Sequence, residues 1–257
     1  MGIKDPTKRF SDRAEYYASS RPSYPMEIIS LLKKRASFDK RKIVADIGSG
    51  TGLLSGLFLK NGNEVYAVEP NTNMRKIAEK DLSHYGNFHS VGGRAEDTGL
   101  KGGSIDLISV GQAFHWFDLA PTKKEFKRIL KKGGYVMLAY YEKNNAATRI
   151  SKDYNTLISR YGRDFAKANG LHLSGQKGLS EFFGDGNFKK FVFPRGTTKR
   201  LTLKGLVDRL LSASYMPSKL ELSYPAMIND IKKIFEKHQR NGRVTIVYTV
   251  TVYLGHF

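Results

Sequence analysis

A doubly wound α/β sheet with helices on both faces is the fold class that the sequence predicts, on three observations. Five short apolar, β-branched runs follow one another at residues 42–47, 64–68, 88–91, 105–110 and 135–141. Stretches with helical spacing lie between several of them. A glycine-rich turn follows directly on the first run. Strands that alternate with helices build a parallel sheet covered on both faces. Ligands of such sheets bind at the carboxyl ends of the strands, near the switch in strand order.

In chain order, residues 1–41 read as helices leading in to the first strand. Phe10, Ala14, Tyr17 and Ala18 share a helical face. Arg21-Pro22 should end that helix, because the residue before a proline is pushed out of the α region. A second helix is expected over 26–35. Asn71 is a suitable N-cap for a helix over 72–85, with Met74, Ile77, Ala78 and Leu82 along one face. Residues 123–132 place Phe126, Ile129 and Leu130 on one stripe and stop at Gly133-Gly134. Beyond the core 42–142, residues 143–186 are polar and glycine-rich with weak helical stripes. Residues 187–203 read as a strand broken by Pro194. Residues 203–240 look helical through Leu206, Leu210 and Leu211, then Ile228, Ile231, Ile234 and Phe235. Residues 244–254 alternate Val, Ile, Tyr and Thr as a strand. The expectation is one domain over 1–257, with helical cap insertions at 143–186 and 203–240 and sheet strands at 187–202 and 243–257.

Composition bounds the function. The 257 residues are 40% hydrophobic, enough to bury a sizeable core and to exclude wholesale disorder. With no cysteine there is no disulfide framework and no thiolate nucleophile or metal site. No apolar run reaches the roughly 18 residues of a spanning helix. The opening residues lack a secretory apolar stretch, and Pro6 sits where a myristoylation signal wants Ser or Thr. A soluble, cytoplasmic monomer or homodimer with no membrane partner is expected. The net charge of +19 divides into +6 over 1–42, +2 over 43–141 and +11 over 142–257. The flanks therefore carry either a solvated lysine-rich surface or one that attracts an anionic substrate or nucleic acid.

The first strand runs into Asp46-Ile47-Gly48-Ser49-Gly50-Thr51-Gly52 and then the apolar start of a helix. A Gly-x-Gly-x-Gly turn lets backbone pass close under a ligand, where a Cβ would collide. A dinucleotide fingerprint would need its third glycine at Leu53, and the Gly-Lys-Ser/Thr of a phosphate loop is absent. The second strand ends in Val68-Glu69-Pro70-Asn71, which sets Glu69 where both hydroxyls of a ribose can be accepted. Strand, turn, helix, strand and acid in this order point to an adenosine-type ligand. A generic tight turn with a helix-capping acid is the alternative.

With Ala95-Glu96 after the third strand, Gln112-Ala-Phe-His-Trp116 after the fourth and 126–134 before the fifth, the sequence resembles the class I, Rossmann-like S-adenosylmethionine-dependent methyltransferases. Residues 13–17 and 21–25 add a finer likeness to the trans-aconitate-type small-molecule branch. The resemblance implies a mostly parallel sheet with an antiparallel C-terminal strand, and S-adenosyl-L-methionine as cofactor. It implies that Gly48, Ser49, Gly50 and Gly52 line the methionine part, with Asp46 near its amino group. Glu69 would hold the ribose, Pro70 and Met74 would lie beside the adenine, and Ala95 and Glu96 would bracket it. Gln112 and Ala113 complete the implied cofactor set. Tyr17 and Arg21 belong to a segment implied to fold over the methionine end, with the Arg21 guanidinium on the methionine carboxylate. Many relatives carry an Asp just before the Ala-Glu pair; here Arg94 stands there.

Methyl transfer from a sulfonium is a direct displacement, so no covalent nucleophile is required. A general base is required only for an acceptor that is protonated at working pH. His115 is the candidate base; alternatively His115 and Trp116 pack the pocket wall. Trp116, Tyr140 and Tyr215 are candidate acceptor contacts or else core aromatics. His84, His89, His172, His238 and His256 show no metal-ligand spacing, so no metal is expected. The function expected is methylation of a small-molecule carboxylate, hydroxyl or phenol. The alternatives are an RNA or protein methyltransferase using the basic C-terminal half, and a cofactor-binding protein without transfer.

Overall fold

The structure is a computed structural model that describes residues 13–145, 147–163 and 175–257, with the side chains of 175–177 excepted. Phe10, His172 and the stretch 164–174 of the first expected insertion lie outside the described residues.

The sheet has seven strands: β1 Val44–Ile47, β2 Val65–Val68, β3 Phe88–Val91, β4 Ile105–Gly111, β5 Leu130–Lys143, β6 Phe188–Leu201 and β7 Val244–Gly255. Their order is β3-β2-β1-β4-β5-β7-β6. The first five are parallel, and β7 runs antiparallel to both β5 and β6. β1 and β4 read as continuous apolar runs because both their faces are covered, and all four residues of β1 are buried. Pro194 does not end β6. The register shifts between Phe193 and Thr197, where four residues of β6 span two of β7, so the proline sits in a bulge and pairing resumes beyond it.

The helices among the described residues are α1 Ala14–Ser20, α2 Glu27–Ala36, α3 Ser55–Lys60, α4 Thr72–Leu82, α5 Leu119–Ile129, α6 Arg149–Tyr161, α7 Gly175–Phe183, α8 Leu203–Leu211 and α9 Tyr224–His238. α1 stops at Arg21, whose extended φ of −76° and ψ of 147° are what Pro22 demands. Asn71 caps α4, its side chain accepting from the Asn73 and Met74 amides at 3.0 and 3.1 Å. The helix expected to reach Lys132 ends at Ile129 instead. Leu130 already has the extended backbone of β5, and the Lys131 ammonium is drawn to Asp106 at 2.7 Å.

Two apolar layers enclose the sheet. One face carries α2, α3, α6, α8 and α9, packed through Ile28, Leu32, Phe58, Tyr154, Leu206 and Ile231. The other carries α5 and α7 through Phe126, Ile129, Leu179 and Phe182. The order of neighbours reverses at β1 and β4, which opens a crevice at their carboxyl ends. α1 lies over that crevice and packs on α8. None of the helices described is long and apolar enough to cross a membrane.

Candidate active site

A cavity of about 1060 Å³, open mouth included, occupies this crevice. Its floor is the turn after β1. Gly48 and Gly50 adopt left-handed φ values of 66° and 58°, which suit glycine. A Cβ on Gly48 would stand 2.7 Å from that of Ala113, so the turn presses directly against the segment after β4. Gln112 in that segment also holds a positive φ of 58°, unusual for a residue with a side chain. Its amide bonds to Ala139 O at 3.0 Å and its side chain donates to Tyr141 O at 3.0 Å, which fixes the strained turn against β5.

Glu69 closes the second side. It is 8% exposed, and its two carboxylate oxygens accept from the Gly50 and Asn71 amides, each at 2.8 Å. Burial raises its pKa, opposed by those backbone hydrogen bonds. Asp46 is fully buried and accepts from Ser55 Oγ at 2.6 Å and Ser109 Oγ at 3.0 Å. Burial pushes its carboxyl up to about 6, with the two serines pulling the other way. Glu96 accepts from the Asp118 amide at 3.0 Å and so anchors the start of α5 to the rim.

Of the residues expected to bind cofactor, Tyr17, Asp46, Gly48, Ser49, Gly50, Glu69, Pro70, Met74, Ala95, Glu96, Gln112 and Ala113 all line the cavity, as does Trp116. Arg94, just before the Ala95-Glu96 pair, lines it too. Tyr141, which with Tyr140 could by sequence face either the acceptor pocket or the core, lines it; Tyr24, Leu53, Leu54, Asn71, Gly111 and Phe117 complete the wall, and the sequence did not single them out for it. Tyr24 comes from the turn after α1; a Cβ on Gly111 would fall 2.7 Å from its hydroxyl.

Several expectations need correction. Gly52 is not part of the wall: its φ of 79° turns the chain towards α4, and a Cβ there would meet Leu82 Cδ1 at 2.5 Å. Its role is close helix packing. Arg21 does not line the cavity; it donates to Ser212 Oγ at 3.1 Å and lies over the Tyr17 ring at 4.5 Å. His115 does not line it either. The short 3₁₀ turn Phe114–Trp116 gives Trp116 to the cavity and leaves His115 beside the indole, ring centres 4.8 Å apart. Tyr140 alternates with Tyr141 along β5, faces the opposite side of the sheet and packs edge-on against Tyr253. Tyr215 lies in the turn after α8, where its carbonyl accepts from the Arg163 amide at 2.9 Å, away from the wall. Among the described residues no group of three or more His, Asp or Glu could hold a metal ion.

The wall fits an adenosyl sulfonium. Three carboxylates, Asp46, Glu69 and Glu96, line one cavity, beside a glycine cradle and an apolar patch of Pro70, Met74 and Ala95. Comparison with known proteins agrees. Residues 45–138 match a family model described as a methyltransferase domain. A protein of Dictyostelium discoideum named as a methyltransferase is 33% identical over 62% of this chain and 62% of its own length. The match therefore spans about three fifths of that relative. A methyltransferase-like protein of Schizosaccharomyces pombe is 25% identical over 94% of this chain and 92% of its own. A solved structure from Anaeromyxobacter dehalogenans, named as a type II methyltransferase, superposes with a TM-score of 0.69 at 21% identity, covering 92% of this chain and 97% of that one. These matches carry the class and not the trans-aconitate-type branch within it. With the sheet order, the glycine cradle and Glu69 in place, the chain has the class I methyltransferase fold, and residues 45–138 within it match a methyltransferase domain.

Proposed function

We propose that this protein transfers the methyl group of S-adenosylmethionine to a small-molecule acceptor by direct displacement. The observation that carries the reading is the cover that α1 and the turn after it give the cavity: Tyr17, Tyr24 and Tyr141 line it together, with the Tyr24 and Tyr141 ring centres 5.6 Å apart, which suits an acceptor that enters whole. Bound there, the cofactor supplies an electrophilic methyl on a sulfonium. Glu69 holds the ribose hydroxyls, Asp46 receives the amino group, and Pro70, Met74 and Ala95 flank the adenine. Glu96 and Arg94 stand at the polar rim. Tyr141, Trp116 and Phe117 exclude water from the reacting end.

Orientation is the main catalytic contribution in this reading. Holding acceptor and methyl in line can provide up to roughly 7–11 kcal/mol by removing translational and rotational freedom. Among the described residues that line the cavity there is no histidine, which favours an acceptor that is already ionised or unprotonated at working pH. Methylation of RNA or protein is the rival, motivated by the +11 of residues 142–257. Incubating the protein with methyl-labelled cofactor and fractionated cell extract separates the two. Label in the small-molecule fraction supports this function, and label confined to RNA or protein overturns it.

A further inference from the structure

Beyond Tyr141 the same face of the sheet holds three cations with no acidic partner among the described residues. Arg209 on α8 is only 6% exposed; its guanidinium donates to the Tyr248 hydroxyl and to Ser212 Oγ, both at 3.3 Å. Arg21 reaches the same Ser212 Oγ at 3.1 Å and the Ser212 carbonyl at 3.4 Å. Ser212 spends its own proton on Arg209 O at 2.7 Å, so two guanidiniums share the lone pairs of one hydroxyl. Lys143 follows Tyr141 by two residues on β5 and therefore shares its face. Its ammonium lies over the Tyr154 ring at 5.1 Å, and its cross-strand neighbour is Tyr248. Burial, reinforced by Arg209 and Arg21, holds the Lys143 pKa well below the ordinary lysine value.

The nearby acids are engaged elsewhere. Asp208, next to Arg209, is paired with Lys204 at 2.6 Å. Asp46 is held by its two serines, and Glu142 is exposed on the other face of β5. The C-terminal end of α8 offers roughly half a negative charge. Arg13 already takes it, bonding to the Leu211, Ala213 and Met216 carbonyls at 2.7, 2.7 and 2.9 Å. Arg209 is buried and Arg21 and Lys143 are half-buried; cations withdrawn from water without a counter-ion are costly, and these three also repel one another. A bound oxyanion removes both costs.

We propose that Arg21, Lys143 and Arg209 form the recognition site for an oxyanion, carboxylate or phosphate, carried by the methyl acceptor and anchored past Tyr141 from the cofactor. This rests on the small-molecule reading and specifies its substrate class. The planar guanidiniums of Arg21 and Arg209 supply the paired donors that oxyanions take, and Lys143 adds a point charge. The anchored group need not be the one methylated. Tyr17, under the Arg21 guanidinium and on the cavity wall, links the cation cluster to the cavity.

The cofactor's own carboxylate is the rival occupant, so the test uses protein saturated with S-adenosylhomocysteine. Citrate, inorganic phosphate and the neutral triethyl ester of citrate are titrated at constant ionic strength, with calorimetry and thermal unfolding as readouts. Either anion should bind and raise the melting temperature while the ester does neither; the stronger of the two tells carboxylate from phosphate. Lys143→Gln should weaken the anion by about tenfold or more, the loss expected of one charge-assisted contact, with S-adenosylhomocysteine affinity kept. Arg209→Gln is a second variant, and Lys143→Gln carries the test if that chain does not fold. Failure of both anions to bind, equal binding of the ester, unchanged anion binding by Lys143→Gln, or parallel loss of S-adenosylhomocysteine affinity would each overturn the proposal. None of these readouts needs turnover, so label entering RNA or protein would sink the small-molecule reading separately.

Discussion

The Oε2 oxygen of Glu69 accepts the Gly50 amide at 2.8 Å, so the carboxylate that ends β2 also holds the glycine turn that follows β1. One side chain thus shapes the cradle and faces the ligand. Glu69→Ala should weaken S-adenosylhomocysteine binding by about 1.5–3 kcal/mol, the range for a hydrogen bond to a charged group. Glu69→Gln, which keeps one acceptor oxygen, should fall between. Calorimetry gives the affinities, and circular dichroism checks that both variants remain folded.

Gly52→Ala should destabilise the fold by about 1–3 kcal/mol. The left-handed φ of 79° costs about 1–2 kcal/mol with a side chain. The new methyl also overlaps Leu82 Cδ1, which lies 2.5 Å from its position. Shortening that neighbour by Leu82→Ala relieves the overlap and not the backbone strain. The double variant should therefore lose less stability than the two single losses added together, measured by urea unfolding. Strict additivity would contradict the packing role assigned to Gly52.

Asp46 makes stability and cofactor binding depend on pH in opposite directions. Its folded-state carboxyl titrates at about 6 against 3.8 for the free side chain, because it is buried. The folded protein therefore holds the proton more tightly. The contribution of Asp46 to stability is therefore fully present below pH about 4 and is lost as pH rises through about 6, by up to about 3 kcal/mol. Urea unfolding of wild type and Asp46→Asn between these limits should show the difference narrowing as pH falls. The ammonium of the cofactor prefers the ionised carboxyl, so affinity should rise through pH about 6 in wild type and stay flat in Asp46→Asn.

His115→Ala should bind S-adenosylhomocysteine as wild type does and transfer label to the acceptor fraction at a rate within a few-fold of it. A general base contributes roughly 10²–10⁴-fold. A loss of that size, with cofactor affinity unchanged, would restore His115 as the base despite its place outside the cavity wall.

The cofactor half of the cavity was legible in the sequence because it is built from consecutive residues at strand ends. A buried parallel strand reads as an unbroken apolar run, and the glycines and Glu69 follow directly on such runs. The acceptor half was not legible. Tyr24 belongs to the turn 21–25 and enters the wall only because that turn folds over Gly111. Tyr140 and Tyr141 are indistinguishable until the register Tyr141↔Val250 sets the phase of β5. Arg209 was hidden by its leucine neighbours, since the stripe of Leu206 and Leu210 predicts an apolar face and says nothing of the cation beside it. His115 was misplaced because proximity to a strand end does not give direction, and a single 3₁₀ turn decides which ring enters the cavity.

The most direct test of the central claim is calorimetric titration of the purified chain with S-adenosylhomocysteine and, separately, with NADH. One molecule of S-adenosylhomocysteine should bind per chain, more tightly than NADH, and that binding should weaken in Glu69→Ala. Tighter binding of NADH, or S-adenosylhomocysteine binding that Glu69→Ala leaves unchanged, would contradict the assignment of this cavity to an adenosyl sulfonium.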